Sequence, residues 1–126
     1  MLKVSELRIG NWLLKDNNPS QLDSIQRYTN GNYYLRFADD VDRELESVTP
    51  IPVRLKHLQR AGLFPKKNDD IFEFSPSAGS LNIPSTGAPM LFGLYVRHDW
   101  ITTYKYVHEL QNLYFALTGQ ELDLRL

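Results

Sequence analysis

The chain has 126 residues and a mass of 14.6 kDa, room for one core and little more. Hydrophobic residues make up 42% and charged residues 23%, ordinary globular usage that argues against disorder and fibrous repeats. Fourteen Lys+Arg oppose 15 Asp+Glu for a net charge of -1, and there is no cysteine; a strongly basic nucleic-acid coat, a disulfide framework, an Fe–S cluster and a thiolate zinc site are thereby excluded.

Charge is scattered through the first eight residues and no apolar run follows, so no signal peptide is read there. The longest apolar stretch, 90–96, is interrupted by Gly93 and falls far short of the roughly 20 residues a membrane helix needs. A cytoplasmic protein is expected. In chain order, a turn near Ser5 precedes a strand over 11–15. The run Asp16-Asn17-Asn18-Pro19-Ser20 reads as a turn, and the alternation of Leu22, Ser24 and Gln26 as a second strand. Asn30-Gly31 is a hairpin signal, because both central residues of a type I′ turn need positive φ. A third strand follows at 33–37, a polar loop at 39–42 and a fourth strand at 45–49.

Pro50 and Pro52 then stop the sheet, since proline cannot donate to a ladder. A short helix is predicted over 53–61, with Gly62 as a left-handed cap and Leu63 folding back. Residues 65–70 form a surface loop, 71–74 a strand, 80–83 a segment that pairs back, and 84–89 a longer loop. Strands at 90–97 and 101–105 lead to a C-terminal helix over 106–118. There Tyr106, Val107, Leu110, Leu113, Tyr114 and Leu117 form one apolar stripe and Gly119 caps the end. The order of elements predicts an α+β fold in one domain of mostly antiparallel strands. Its parts are an SH3-like small barrel or meander over 1–52, a short helix over 53–64, and strands plus a covering helix over 69–126.

Three stretches carry a resemblance: Leu7-Arg8-Ile9-Gly10-Asn11-Trp12; Pro50-Ile51-Pro52-Val53 with Leu58 and Gly62; and the run from Tyr106 through Thr118-Gly119 to Leu122. Together the chain resembles a family of small uncharacterised proteins of Bacteroides-group bacteria and their phages. The resemblance implies a bacterial or phage accessory protein and names no catalytic residue. Relatives place a Thr and acidic residues at the start of the middle helix, where this chain has Arg54, Leu55 and Lys56.

Common chemistry is missing from the sequence. No glycine spacing makes a dinucleotide or Walker A loop, and there is no H-E-x-x-H, EF-hand loop or G-x-S-x-G elbow. No catalytic residue, cofactor or metal ligand is assigned, and a non-enzymatic role is favoured. Two surfaces remain as leading candidates. His108, Gln111, Asn112 and Phe115 lie at i, i+3, i+4 and i+7, opposite the apolar stripe, a polar strip with one aromatic that suits a protein partner. Arg54, Lys56, Arg60, Lys66 and Lys67 stand in a stretch without an acid, and suit phosphates. The leading expectation is a protein-interaction module acting in phage or mobile-element biology; the alternative is a nucleic-acid-binding accessory protein using segment 54–67.

Weaker constellations are the acidic run Asp39, Asp40, Asp42, Glu44 and Glu46, the His98-Asp99 pair near Tyr104, and an aromatic groove from Trp12, Trp100, Tyr33 and Tyr34. Each has a plainer explanation: a solvated charged loop, a polar turn, and core aromatics.

Overall fold

A computed structural model describes residues 2–65, 71–76 and 90–126. Within them the chain is α+β, with eight antiparallel strands in three sheets and two α-helices. The strands are β1 (Trp12–Lys15), β2 (Asn18–Gln21), β3 (Ser24–Arg27), β4 (Tyr33–Arg36), β5 (Asp42–Glu44), β6 (Phe72–Pro76), β7 (Phe92–Val96) and β8 (Asp99–Tyr104). Helix α1 (Leu55–Arg60) falls between β5 and β6, and α2 (Val107–Thr118) follows β8. β1 and β2 form a hairpin; β3-β4-β5 and β6-β7-β8 form meanders. Of the two forms expected for the N-terminal part, the strands take the open meander and close no barrel. The expected pairing segment at 80–83, the loop at 84–89, Lys66 and Lys67 lie outside the described residues.

The first hairpin departs from the sequence reading. The turn is only Asp16 and Asn17, both with positive φ (51° and 64°), and β2 begins at once on Asn18 and Pro19. A proline survives there because Leu14, its partner across the hairpin, directs its N–H and C=O to Thr49 on the opposite side (2.9 and 3.2 Å). The Leu14–Pro19 pair is therefore not a hydrogen-bonded one, and the missing N–H leaves no gap in the ladder. The second strand expected from Leu22 onward is β3, which starts at Ser24.

Between β3 and β4 the Asn-Gly signal does make a hairpin, by another geometry. Only Gly31 takes positive φ (85°), its N–H bonds to the Tyr28 carbonyl, and the Tyr28 N–H returns to the Asn32 carbonyl. This is a three-residue loop closed by a left-handed glycine rather than a two-residue type I′ turn. The fourth strand expected at 45–49 is absent. β5 lies earlier, and Leu45–Ser47 is a 3₁₀ turn that carries the chain across to Thr49 beside β1.

In the second half, β7 and β8 are joined by Arg97 and His98, both at positive φ (49° and 73°). A bulge opposite Leu94 and Tyr95 leaves Ile101 outside the ladder. Trp100 and Ile101 are both exposed on this edge strand, at 61% and 51%.

Two hydrophobic clusters result. One holds Val53 and Leu58 around α1, Phe74, Phe92, Leu94 and Tyr104 of the β6–β8 sheet, Val107 and Leu110 of α2, and the tail residues Leu122 and Leu124. Phe92 and Tyr104 stack at 5.6 Å between centroids, and Phe74 meets Tyr104 edge-on at 6.3 Å. The other cluster holds Leu2, Leu7, Leu13, Leu22, Leu35, Phe37 and Val48. β1 serves both: Leu13 enters the second cluster, while Trp12 and Leu14 pack against the first. That division is the period-two alternation of a strand.

Candidate functional site

Helix α1 is held at both ends. Before it, Val53 N–H bonds to the Lys105 carbonyl and Val107 N–H to the Ile51 carbonyl, both at 2.8 Å, pinning 51–53 to the start of α2. Arg54 is extended (φ −121°, ψ 157°) and caps the helix. Its N–H donates to Nδ1 of His57 at 2.9 Å, so the imidazole takes the place of the Glu or Gln that usually reaches back from this position. At the other end Gly62 takes φ 74°, and the N–H groups of Gly62 and Leu63 bond to Gln59 and Leu58 carbonyls at 3.1 and 2.8 Å. This is the six-residue closure predicted from Gly62 and Leu63.

The same closure fixes what the helix shows. Leu58 and His57 are buried, whereas Arg54, Lys56 and Arg60 are exposed. Lys56 and Arg60, four apart, share a face. The Arg54 guanidinium reaches only the Val53 carbonyl, at 3.5 Å, and among the described residues none of the three forms an ion pair. They border a concavity of about 300 Å³ that includes Pro52 and Leu126; Arg60 also borders a second one of about 440 Å³ with Asp123 and Arg125. The local field is positive. Burial first, then the charges of Lys56, Arg60 and Arg54, push the His57 imidazole down to about 4. His57 is thus neutral at neutral pH, as its role as a hydrogen-bond acceptor requires.

The acidic run does not answer this helix. Asp39 binds Arg43 at 2.8 Å and Lys15 at 3.2 Å, Asp42 binds Arg36 at 2.8 Å and accepts the Tyr28 hydroxyl, and Arg43 also reaches Asp16 at 3.1 Å. Its hydrogen bond to Arg43 holds the Asp39 carboxyl well below the usual carboxylate range. Among the described residues no group of three or more His, Asp or Glu is gathered as a metal would require.

The polar strip on α2 is a correction. His108 and Gln111 are 1% and 2% exposed, so they offer nothing to an outside partner. The strip packs against the segment from Glu6 to Trp12, where Gln111 and Asn112 find hydrogen-bond partners in both backbone and side chains. Gln111 Oε1 accepts the Trp12 N–H at 2.8 Å and its Nε2 donates to the Gly10 carbonyl at 3.2 Å. Asn112 donates to the Glu6 carbonyl at 2.7 Å and accepts from Arg8 and Asn11 at 2.8 and 2.9 Å. Phe115 alone stays on the surface, 39% exposed, with the Arg8 guanidinium 4.2 Å over its ring. Arg8 is also paired with Glu121.

The remaining constellations are dispersed. His98 and Asp99 sit at the hairpin end of β8, and Tyr104 is buried at the opposite end. Trp12 donates its indole N–H to the Leu124 carbonyl at 3.1 Å, Tyr34 stacks on Tyr28 at 4.2 Å, and Trp100 stands alone on its edge strand, so the four aromatics form no common groove. Among the described residues no helix is long and apolar enough to cross a membrane. Comparison of the chain with protein-family models, curated proteins and solved structures gives no match.

Proposed function

We propose that this chain is a non-enzymatic binding module, a phage or mobile-element accessory protein, that takes nucleic acid on the face of α1. One observation carries the reading. Arg54, Lys56 and Arg60 are exposed on a well-closed helix and, among the described residues, form no ion pair, while Asp39 and Asp42 are held by other cations. Because the net charge is -1, affinity for phosphates has to come from such a local face.

The test is binding of the full chain to a fluorescent duplex and to a single-stranded oligonucleotide over a salt series. Affinity falls with salt, with a slope set by about three neutralised phosphates. Arg54→Glu, Lys56→Glu and Arg60→Glu together abolish it while the melting temperature holds, since all three side chains are exposed. Binding unchanged by the triple substitution defeats the proposal.

A protein partner is the second reading, favoured by the exposed Trp100 and Ile101 on β8, an edge strand among the described residues. It predicts capture of a defined protein that survives nuclease and is lost with Trp100→Ala.

A further inference from the structure

A cavity of about 390 Å³ opens between the Val4–Glu6 turn, β8 and α2, within the size range of about 300–1,000 Å³ usual for small-molecule sites. Its lining includes Glu6, Thr102, Thr103, Tyr104, Glu109 and Asn112 and, among the described residues, no Lys or Arg. Each carboxylate is fixed through one oxygen. Glu6 Oε1 accepts the Lys3 N–H at 2.9 Å, and Glu109 Oε1 accepts the N–H groups of Lys105 and Tyr106 at 3.2 and 3.0 Å. The second oxygen of each accepts no hydrogen bond from the described residues.

One orphaned polar side chain, Tyr104, lines this cavity, and His108 lies behind the lining. The Tyr104 hydroxyl is buried without a partner, as are both ring nitrogens of His108. His108 Nε2 faces Glu6 Oε1 at 3.9 Å, too far for a hydrogen bond. Among the described residues the only other such group is the Ser24 hydroxyl. A buried polar group without a partner costs on the order of 1–3 kcal/mol, and one in the wall of a cavity calls for an occupant that satisfies it.

We infer that the cavity binds a primary ammonium group. Two held carboxylates and no cation in the lining select positive charge. The free acceptors, the second oxygens of Glu6 and Glu109 and the unpartnered hydroxyl oxygen of Tyr104, match the three donors of an ammonium. A metal ion is the poorer fit, because no third carboxylate or imidazole joins a ligand cluster here.

The test is a titration of the full chain with putrescine, a linear aliphatic diamine, at about pH 7.5, where an unperturbed imidazole is already mostly neutral. Backbone amide resonances are followed by NMR. Saturable shifts are expected at Glu6, Thr103, Glu109 and Asn112, half complete at about millimolar concentration. Butanol and succinate at equal concentration leave these signals in place. Glu6→Gln keeps the acceptor for Lys3, holds the melting temperature, and weakens binding about tenfold. Thr103→Val, which leaves both carboxylates, is the second variant and weakens it less. A blocked Gly-Lys-Gly peptide separates the sources: shifts with the diamine alone identify a free amine, and shifts with the peptide identify a lysine side chain of a partner. No shift by about 20 mM diamine, equal shifts with butanol, or titrations unchanged in both variants overturn the inference.

Discussion

The side-chain amide of Gln111 stands in for a peptide group beside Trp12, accepting its main-chain N–H at 2.8 Å and donating to the Gly10 carbonyl at 3.2 Å. Trp12 directs this N–H away from β2, so without Gln111 the first strand has a bare polar edge against a buried helix face. One side chain on α2 thus continues the ladder that a third strand would otherwise supply.

Gln111→Leu therefore strips the partner from a part-buried backbone N–H while keeping the helix propensity. The expected loss is about 2–4 kcal/mol in a urea unfolding curve at constant slope. Gln111→Glu loses the donor to Gly10 and buries a charge, so it is at least as damaging. A midpoint within error of the parent for both variants contradicts the role given to this amide.

Stability should fall on mild acidification. His57 has an ordinary value of 6.5 and is pushed down to about 4 in the fold, so between those values the unfolded chain binds more protons than the folded one. The contribution is complete above about pH 6.5 and shrinks as pH falls toward 4. His57→Gln keeps an acceptor for the Arg54 N–H and removes the titration, which flattens this part of the curve by on the order of 2 kcal/mol. The slope that remains belongs to His108, which burial also lowers against the opposing pull of Glu6 and Glu109, joined near pH 4 by the lowered carboxyls of Asp39 and Asp42. Unfolding midpoints from pH 4 to pH 7 for parent and variant decide the point.

Phe115→Ala should be mild. The ring is 39% exposed and its closest charged neighbour is the Arg8 guanidinium, so the loss is about 0.5–1 kcal/mol. A thermal melt that drops as far as for Gln111→Leu would place the ring in the core after all.

Gly62→Ala isolates the cost of a left-handed backbone. A methyl group there meets no atom of the described residues within 4 Å, so the φ of 74° is what opposes it. The expected penalty is about 1 kcal/mol, with the α1 amides exchanging faster by NMR.

Much of the architecture was legible from the chain. The stripe from Val107 to Leu117 and the Gly62-Leu63 ending of α1 are local signals, and local hydrogen bonds satisfy them. The failures share a physical cause, which is that the deciding partner lies far along the chain. Pro19 and Asn18 read as turn residues, yet they form a strand because Leu14 bonds to Thr49 rather than to Pro19. His108, Gln111 and Asn112 read as a solvent-facing strip, because helical spacing marks a face as polar without saying whether water or backbone will answer it. The segment that answers Gln111 and Asn112, from Glu6 to Trp12, is about a hundred residues away in sequence, and the His108 ring nitrogens are left without a partner. The basic face of α1 was visible as composition; that the acidic run leaves it unanswered was visible only in three dimensions.

The alternation along β1 has a consequence for how the molecule comes apart. Trp12 and Leu14 belong to one cluster and Leu13 to the other, so a single stretch of backbone is a wall common to both rooms. Peeling it from either side strips the other. The chain should therefore melt in one transition, and a fragment ending near residue 52 should lose its order, its first strand left with Trp12 and Leu14 facing water.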